Sequence, residues 1–199
     1  MKIYCFGDSY SCAYNHDSVR MFGVKYSEFK GYQPKIYAEL LSEHYQCELI
    51  NDSYGGIDNE TIFYKFINRY SSINPDDIVI FGWTNIVRFP IADNGVWRYS
   101  TQYMNDDCVN WMYVMRNDNL FVGRFLNLID FINKTLPNNK IIHWKWSLNQ
   151  TNLIAHDTND MLRDSHYSEH GHQVLFERIL NDLASKKIVE LDLPNNNLI

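Results

Sequence analysis

Ile78-Val79-Ile80-Phe81 is an unbroken apolar run, framed by Pro75-Asp76-Asp77 before it and Gly82 after it. A strand with water on one face alternates apolar and polar residues. An uninterrupted, β-branched run belongs to a strand covered on both faces. Such a strand needs layers on either side of its sheet, so the rest of the chain must supply them.

The flanking sequence does so by alternation. Lys2–Phe6 reads as a short buried strand ended by the turn residues Gly7-Asp8-Ser9. From Pro34 to Gln46, the residues Ile36, Tyr37, Leu40, Leu41 and His44 recur at helical spacing, with the proline near the first turn. Cys47–Ile50 is a second strand, and Asn51–Gly56 is turn material. Ile62, Phe63, Phe66, Ile67 and Tyr70 mark an amphipathic helix over Asn59–Ile73. A helix over Leu120–Leu136, a strand over Lys140–Trp146 and a last helix over Ser168–Ala184 complete the series. Short strands alternating with helices predict an α/β fold, a three-layer sandwich with a short parallel sheet. At 199 residues, one domain covering 1–199 is expected.

Two stretches stand outside the alternation. Residues 87–119 form a long loop insertion rich in Asn, Asp, Trp and Tyr, and residues 147–165 are polar. In an open α/β sheet both would lie beyond the carboxyl ends of strands, where ligands bind. Loops of this length are more often functional than filler. The rings of Trp97, Tyr99, Tyr103, Trp111 and Tyr113 either line a sugar-binding groove or form a small core under the insertion.

Composition removes several classes of function. Acidic residues outnumber basic ones by 24 to 18, giving a net charge of −6, and there is no basic run. Neither nucleic acid nor an anionic membrane is therefore an expected partner. No stretch approaches the ~18 apolar residues of a membrane span, and no leader is read, so a soluble cytoplasmic protein is expected. Cys5, Cys12, Cys47 and Cys108 form no Cys-x-x-Cys pair, which argues for free thiols rather than a zinc site or a disulfide framework.

Ser9 lies just past the first strand, at the rim where α/β sheets carry chemistry, although Gly-Asp-Ser is also an ordinary turn. Gly7-Asp8-Ser9-Tyr10-Ser11 resembles the opening block of the SGNH (GDSL-like) hydrolase superfamily. That family's second block is a strand-end Asn followed five residues later by an oxyanion Gly, and Asn51 and Gly56 stand at that spacing. Its third block is Gly-x-Asn-Asp after a hydrophobic strand. Here Gly82-Trp83-Thr84-Asn85 follows the strand, with Thr84 where the family's Asn falls and no Asp after Asn85. An amide is the better oxyanion donor, so Asn85 is preferred and the Thr84 hydroxyl is the alternative. The last block is Asp-x-x-His before the final helix. This chain has Asp164-Ser165-His166 instead, and Arg163 in the family's Asp position cannot serve as the acid.

The resemblance implies an SGNH-type, flavodoxin-like fold and serine ester hydrolysis of a small-molecule or carbohydrate ester, with no cofactor. Ser9 would be the nucleophile and His166 the base that activates a hydroxyl otherwise unreactive at neutral pH. Asp164 would fix the imidazole. The amides of Ser9 and Gly56 and the side chain of Asn85 would hold the oxyanion. An O-acyltransferase could use the same residues, and a catalytically weak glycan-binding module could keep the fold. Asp164, His166, His170 and His172 are also a conceivable metal set, but their spacing matches no zinc pattern. Ser168 reads as the cap of the last helix and His172 as a packing residue within it. Arg88 reads as a surface ion-pair residue, or as a partner for an anionic substrate.

Overall fold

The computed structural model describes residues 1–84, 90–93, 96–99, 118–145 and 166–185. In chain order the elements are β1 (Lys2–Gly7), α1 (Arg20–Lys30), α2 (Tyr37–Tyr45), β2 (Glu48–Asn51), α3 (Asn59–Ile67), β3 (Ile78–Trp83), β4 (Pro90–Asp93), β5 (Val96–Tyr99), α4 (Asp118–Thr135), β6 (Lys140–Lys145) and α5 (Glu169–Ser185). Strands β2, β1, β3 and β6, in that order, make a four-stranded sheet in which every pairing is parallel. β4 and β5 pair separately as an antiparallel hairpin.

All six residues of β3 are buried, as its apolar run requires. Side chains alternate across the sheet, so each strand feeds two cores. Ile3, Cys5, Ile78, Ile80, Ile142 and Trp144 face the layer holding Tyr37 and Leu41 of α2 and Leu175 and Ile179 of α5. Tyr4, Phe6, Val79, Phe81 and Trp83 face Ile62 and Phe66 of α3 and Phe125, Ile129 and Ile132 of α4. The architecture is therefore a three-layer α/β sandwich on a short parallel sheet. Each fully buried aliphatic or Phe side chain in these layers contributes about 1.5–3 kcal/mol.

Several boundaries differ from the sequence reading. The helix expected from Pro34 begins at Tyr37, because Ile36 is extended (φ −84°, ψ 164°) and its N–H donates to Glu39 Oε2 at 2.8 Å. The helix expected over Asn59–Ile73 stops at Ile67, and a separate 3-10 turn covers Tyr70–Ser72. Its start is set by Asp58, whose carboxylate accepts the Thr61 N–H at 2.7 Å. Helix α1 and the β4–β5 hairpin were not foreseen.

Cys5, Cys12 and Cys47 are free thiols, while Cys108 lies outside the described residues. Among the described residues no helix is long and apolar enough to cross a membrane.

Candidate active site

Strand β1 delivers the chain to the carboxyl edge of the sheet, where it folds at once into a 3-10 turn over Ser9–Ser11. Asp8 makes this turn. Its carboxylate accepts the Tyr10 N–H at 3.0 Å, and its carbonyl accepts the Ser11 N–H at 3.0 Å. Ser9, half-buried, is the first residue of the turn.

His166 comes to this turn from the other end of the chain. Its Nε2 lies 2.8 Å from Ser9 Oγ, across 157 positions of sequence. The imidazole stacks on Tyr10 with ring centres 4.7 Å apart. Neighbouring bonds hold its segment in place. The Tyr14 hydroxyl donates to the Tyr167 carbonyl at 2.7 Å, and the Tyr26 hydroxyl accepts the Glu169 N–H at 2.8 Å. The Glu169 carboxylate accepts from the Tyr32 hydroxyl at 2.6 Å and pairs with Lys30 at 3.0 Å. Ser168 accepts the Gly171 N–H at 3.4 Å, as expected of a helix cap.

His172 packs rather than facing the turn. It is buried, and its Nδ1 accepts the Tyr37 N–H at 3.4 Å. Burial, with the neighbouring His166, lowers its pKa to about 3, so the ring is neutral with its proton on Nε2.

The loop after β2 runs beside the Ser9 turn. Asn51 Nδ2 donates to the Ser11 carbonyl at 2.8 Å. Asp52 N–H reaches the Cys5 carbonyl at 2.9 Å, and Tyr54 N–H reaches the Gly7 carbonyl at 3.0 Å. Gly55 N–H then donates to Ser18 Oγ at 2.7 Å. Gly56 follows with φ +82°, a left-handed conformation that favours glycine. At the end of β3, Thr84 is buried. Its N–H donates to Asn59 Oδ1 at 2.9 Å, and its carbonyl accepts from Asn59 Nδ2 at 3.2 Å. Asn59, at the start of α3, therefore fixes the strand end from which residue 85 departs.

Asp164 and Asn85 lie outside the described residues, as do Arg88, Tyr103, Trp111 and Tyr113. Trp97 and Tyr99 belong to the backbone of β5. Of the residues considered for a metal, His166 lies on Ser9, His170 is exposed and His172 is turned to Tyr37. Among the described residues no three His, Cys, Asp or Glu side chains gather as a metal-ligating group.

No family model matches the chain, and no curated protein matches it. It is similar to a solved structure named as "a putative lipolytic protein of G-D-S-L family from Desulfitobacterium hafniense DCB-2". The match covers 93% of this chain and 98% of that one, at 13% identity and a TM-score of 0.38. A likeness this distant bears on neither family nor activity.

Chemically, the arrangement is a serine hydroxyl held against an imidazole at proton-transfer distance. Sequence reading missed what surrounds it. Tyr37 reads only as part of a helical stripe and Asn59 only as a helix start, while Tyr14 and Tyr26 carry no periodic or motif signal.

Proposed function

We propose that the protein is a serine ester hydrolase of SGNH (GDSL-like) type. The observation that carries this reading is the 2.8 Å approach of His166 Nε2 to Ser9 Oγ. A serine hydroxyl needs an adjacent base to act as a nucleophile near neutral pH, and an imidazole is the side chain best suited to take its proton.

In this scheme Ser9 Oγ attacks the ester carbonyl while His166 Nε2 takes the hydroxyl proton. The tetrahedral intermediate collapses, the C–O bond to the alcohol breaks, and His166 returns the proton to the departing alkoxide. Water then attacks the acyl-enzyme with the same imidazole as base, which releases the acid and restores Ser9. The amides of Ser9 and Gly56 are assigned to the developing oxyanion together with the Asn85 side chain, and Asp164 is assigned to orient His166. The left-handed backbone at Gly56 supports a position kept free of a Cβ. The substrate class is an acyl or acetyl ester, including esters on carbohydrate.

A fluorophosphonate probe tests the reading. Mass spectrometry should find the adduct on Ser9 in the wild type and no adduct in Ser9→Ala or His166→Ala. Turnover of p-nitrophenyl acetate should fall by orders of magnitude in both variants. A folded wild-type protein that neither labels nor turns over short acyl esters or acetylated sugars would overturn it.

A further inference from the structure

Tyr37 touches both halves of the candidate site. It opens helix α2 and is fully buried, and both its hydroxyl and its backbone N–H are hydrogen-bonded. Its hydroxyl donates to Ser11 Oγ at 2.9 Å and accepts from Trp144 Nε1 at 3.2 Å. Cys5 Sγ lies 3.2 Å from the same oxygen. The backbone N–H of Tyr37 donates to His172 Nδ1.

Ser11 is the last residue of the turn that begins with Ser9. It is held on every side. Its N–H goes to Asp8, its carbonyl to Asn51 and its hydroxyl to Tyr37. In a three-residue turn the two ends move together, so displacing Ser11 displaces the Ser9 amide and hydroxyl. On the other side, His172 lies in the first turn of α5 with its ring edge-on to Tyr167, the residue after His166. The His172 ring also stacks on Tyr37, with centres 6.0 Å apart.

We infer that the Tyr37 hydroxyl is a positioning group for the Ser9–His166 pair, acting through the Ser11 hydroxyl on the turn, while the Tyr37 N–H and ring that hold His172 stay in place in Tyr37→Phe. The inference rests on the reading of that pair as nucleophile and base. Tyr37 touches no substrate. It fixes the distance between two groups that come from opposite ends of the chain.

The test compares Tyr37→Phe, Ser11→Ala and their double variant in the full chain. Readouts are kcat and KM for p-nitrophenyl acetate and the imidazole NMR signals of His166. A misplacement of about 1 Å costs on the order of 10²-fold in rate. Tyr37→Phe should therefore lower kcat about ten- to a hundredfold, leave KM nearly unchanged and shift the His166 signals. Ser11→Ala should do the same more mildly, because it removes only the Tyr37–Ser11 bond while Tyr37→Phe also loses the contacts to Trp144 and Cys5, and the double variant should be no worse than Tyr37→Phe. Ile132→Ala in α4, on the opposite face of the sheet, controls for loss of stability alone. It should lower Tm with kcat and the His166 signals unchanged.

Folded Tyr37→Phe with wild-type kcat and unmoved His166 signals would overturn the inference. So would additive losses in the double variant. If Tyr37→Phe does not fold, Ser11→Ala decides by the same readouts. If the wild type has no ester turnover, the hydrolase reading fails. The His166 signals then decide the positioning role alone, with movement supporting it and constancy overturning it.

Discussion

Gly7 and Gly82 stand opposite each other in β1 and β3, and the Ser11 side chain fills the space over both. A Cβ on Gly82 would meet Ser11 Oγ at 2.3 Å and Trp144 Cζ2 at 2.8 Å. On Gly7 it would meet Ser11 Oγ at 2.3 Å and Ser11 Cβ at 2.6 Å. The turn that carries Ser9 thus rests directly on the backbone of the two central strands.

Gly82→Ala should therefore destabilise the protein by about 1–3 kcal/mol, the usual cost of overpacking. It should also slow probe labelling of Ser9. Gly123→Ala is the contrast. That residue lies inside α4 with nothing within 4 Å of an added Cβ, so the substitution should stabilise by about 0.5–1 kcal/mol. Urea unfolding of both variants measures the difference, and equal midpoints would contradict the packing described.

Gly56→Ala should cost about 1–2 kcal/mol, because its φ of +82° forces a Cβ into the left-handed region. Alanine keeps the backbone N–H, so if the Gly56 amide serves the oxyanion, kcat should fall as far as the strained backbone turns that N–H away, up to the roughly 10²–10³ of a lost donor. A loss confined to stability would mean that the Gly56 backbone holds its place with a Cβ present.

Acid should weaken the fold through two buried imidazoles. His143 accepts from Trp83 Nε1 at 3.1 Å, lies 3.1 Å from Asn133 Oδ1, and is lowered to about 4 by burial. His172 is lowered to about 3, by burial first. Both folded values lie below the ordinary 6.5, so between 6.5 and those values the unfolded chain binds the extra protons. Stability should thus be full above about pH 6.5 and fall as pH drops, by up to about 1.4 kcal/mol per unit for each ring. Urea midpoints from pH 7 to pH 4 should show this slope. His143→Gln should flatten it by one proton, and an unchanged slope would mean that this ring charges freely.

The thiols should be inert while the protein is folded. Burial pushes Cys5 up to about 11 and Cys12 up to about 12, which keeps both protonated. Peptide mapping after iodoacetamide at pH 8 should find Cys5 and Cys12 unmodified in native protein and modified in urea. Modification of either in native protein would contradict its burial.

The central strands were legible because burial on both faces leaves an apolar run that no surface segment imitates. Helix α1 was not legible for the opposite reason. Val24 and Phe29 are apolar yet exposed, so the stripe that marks a buried face is blurred. The helix expected to reach Ile73 was overextended because Tyr70 continues the apolar spacing, although it is exposed and belongs to a 3-10 turn. Ser9, Gly56 and His166 were singled out through short motifs that sit on chain reversals, and the structure brings Ser9 and His166 together. Tyr14, Tyr37 and Asn59 were not singled out for the site, because a buried hydroxyl or amide is recognised by its partners, and those are dozens of residues away in sequence.

The bond from the Tyr14 hydroxyl to the Tyr167 carbonyl has a consequence for biosynthesis. The imidazole emerges from the ribosome 157 positions after the serine it neighbours. A nascent chain carries the sheet's first strands with an idle hydroxyl, and docking of α5 and the segment before it brings the two together. Under the hydrolase proposal, competence would then arrive in one late step, and chains truncated before residue 166 would lack it.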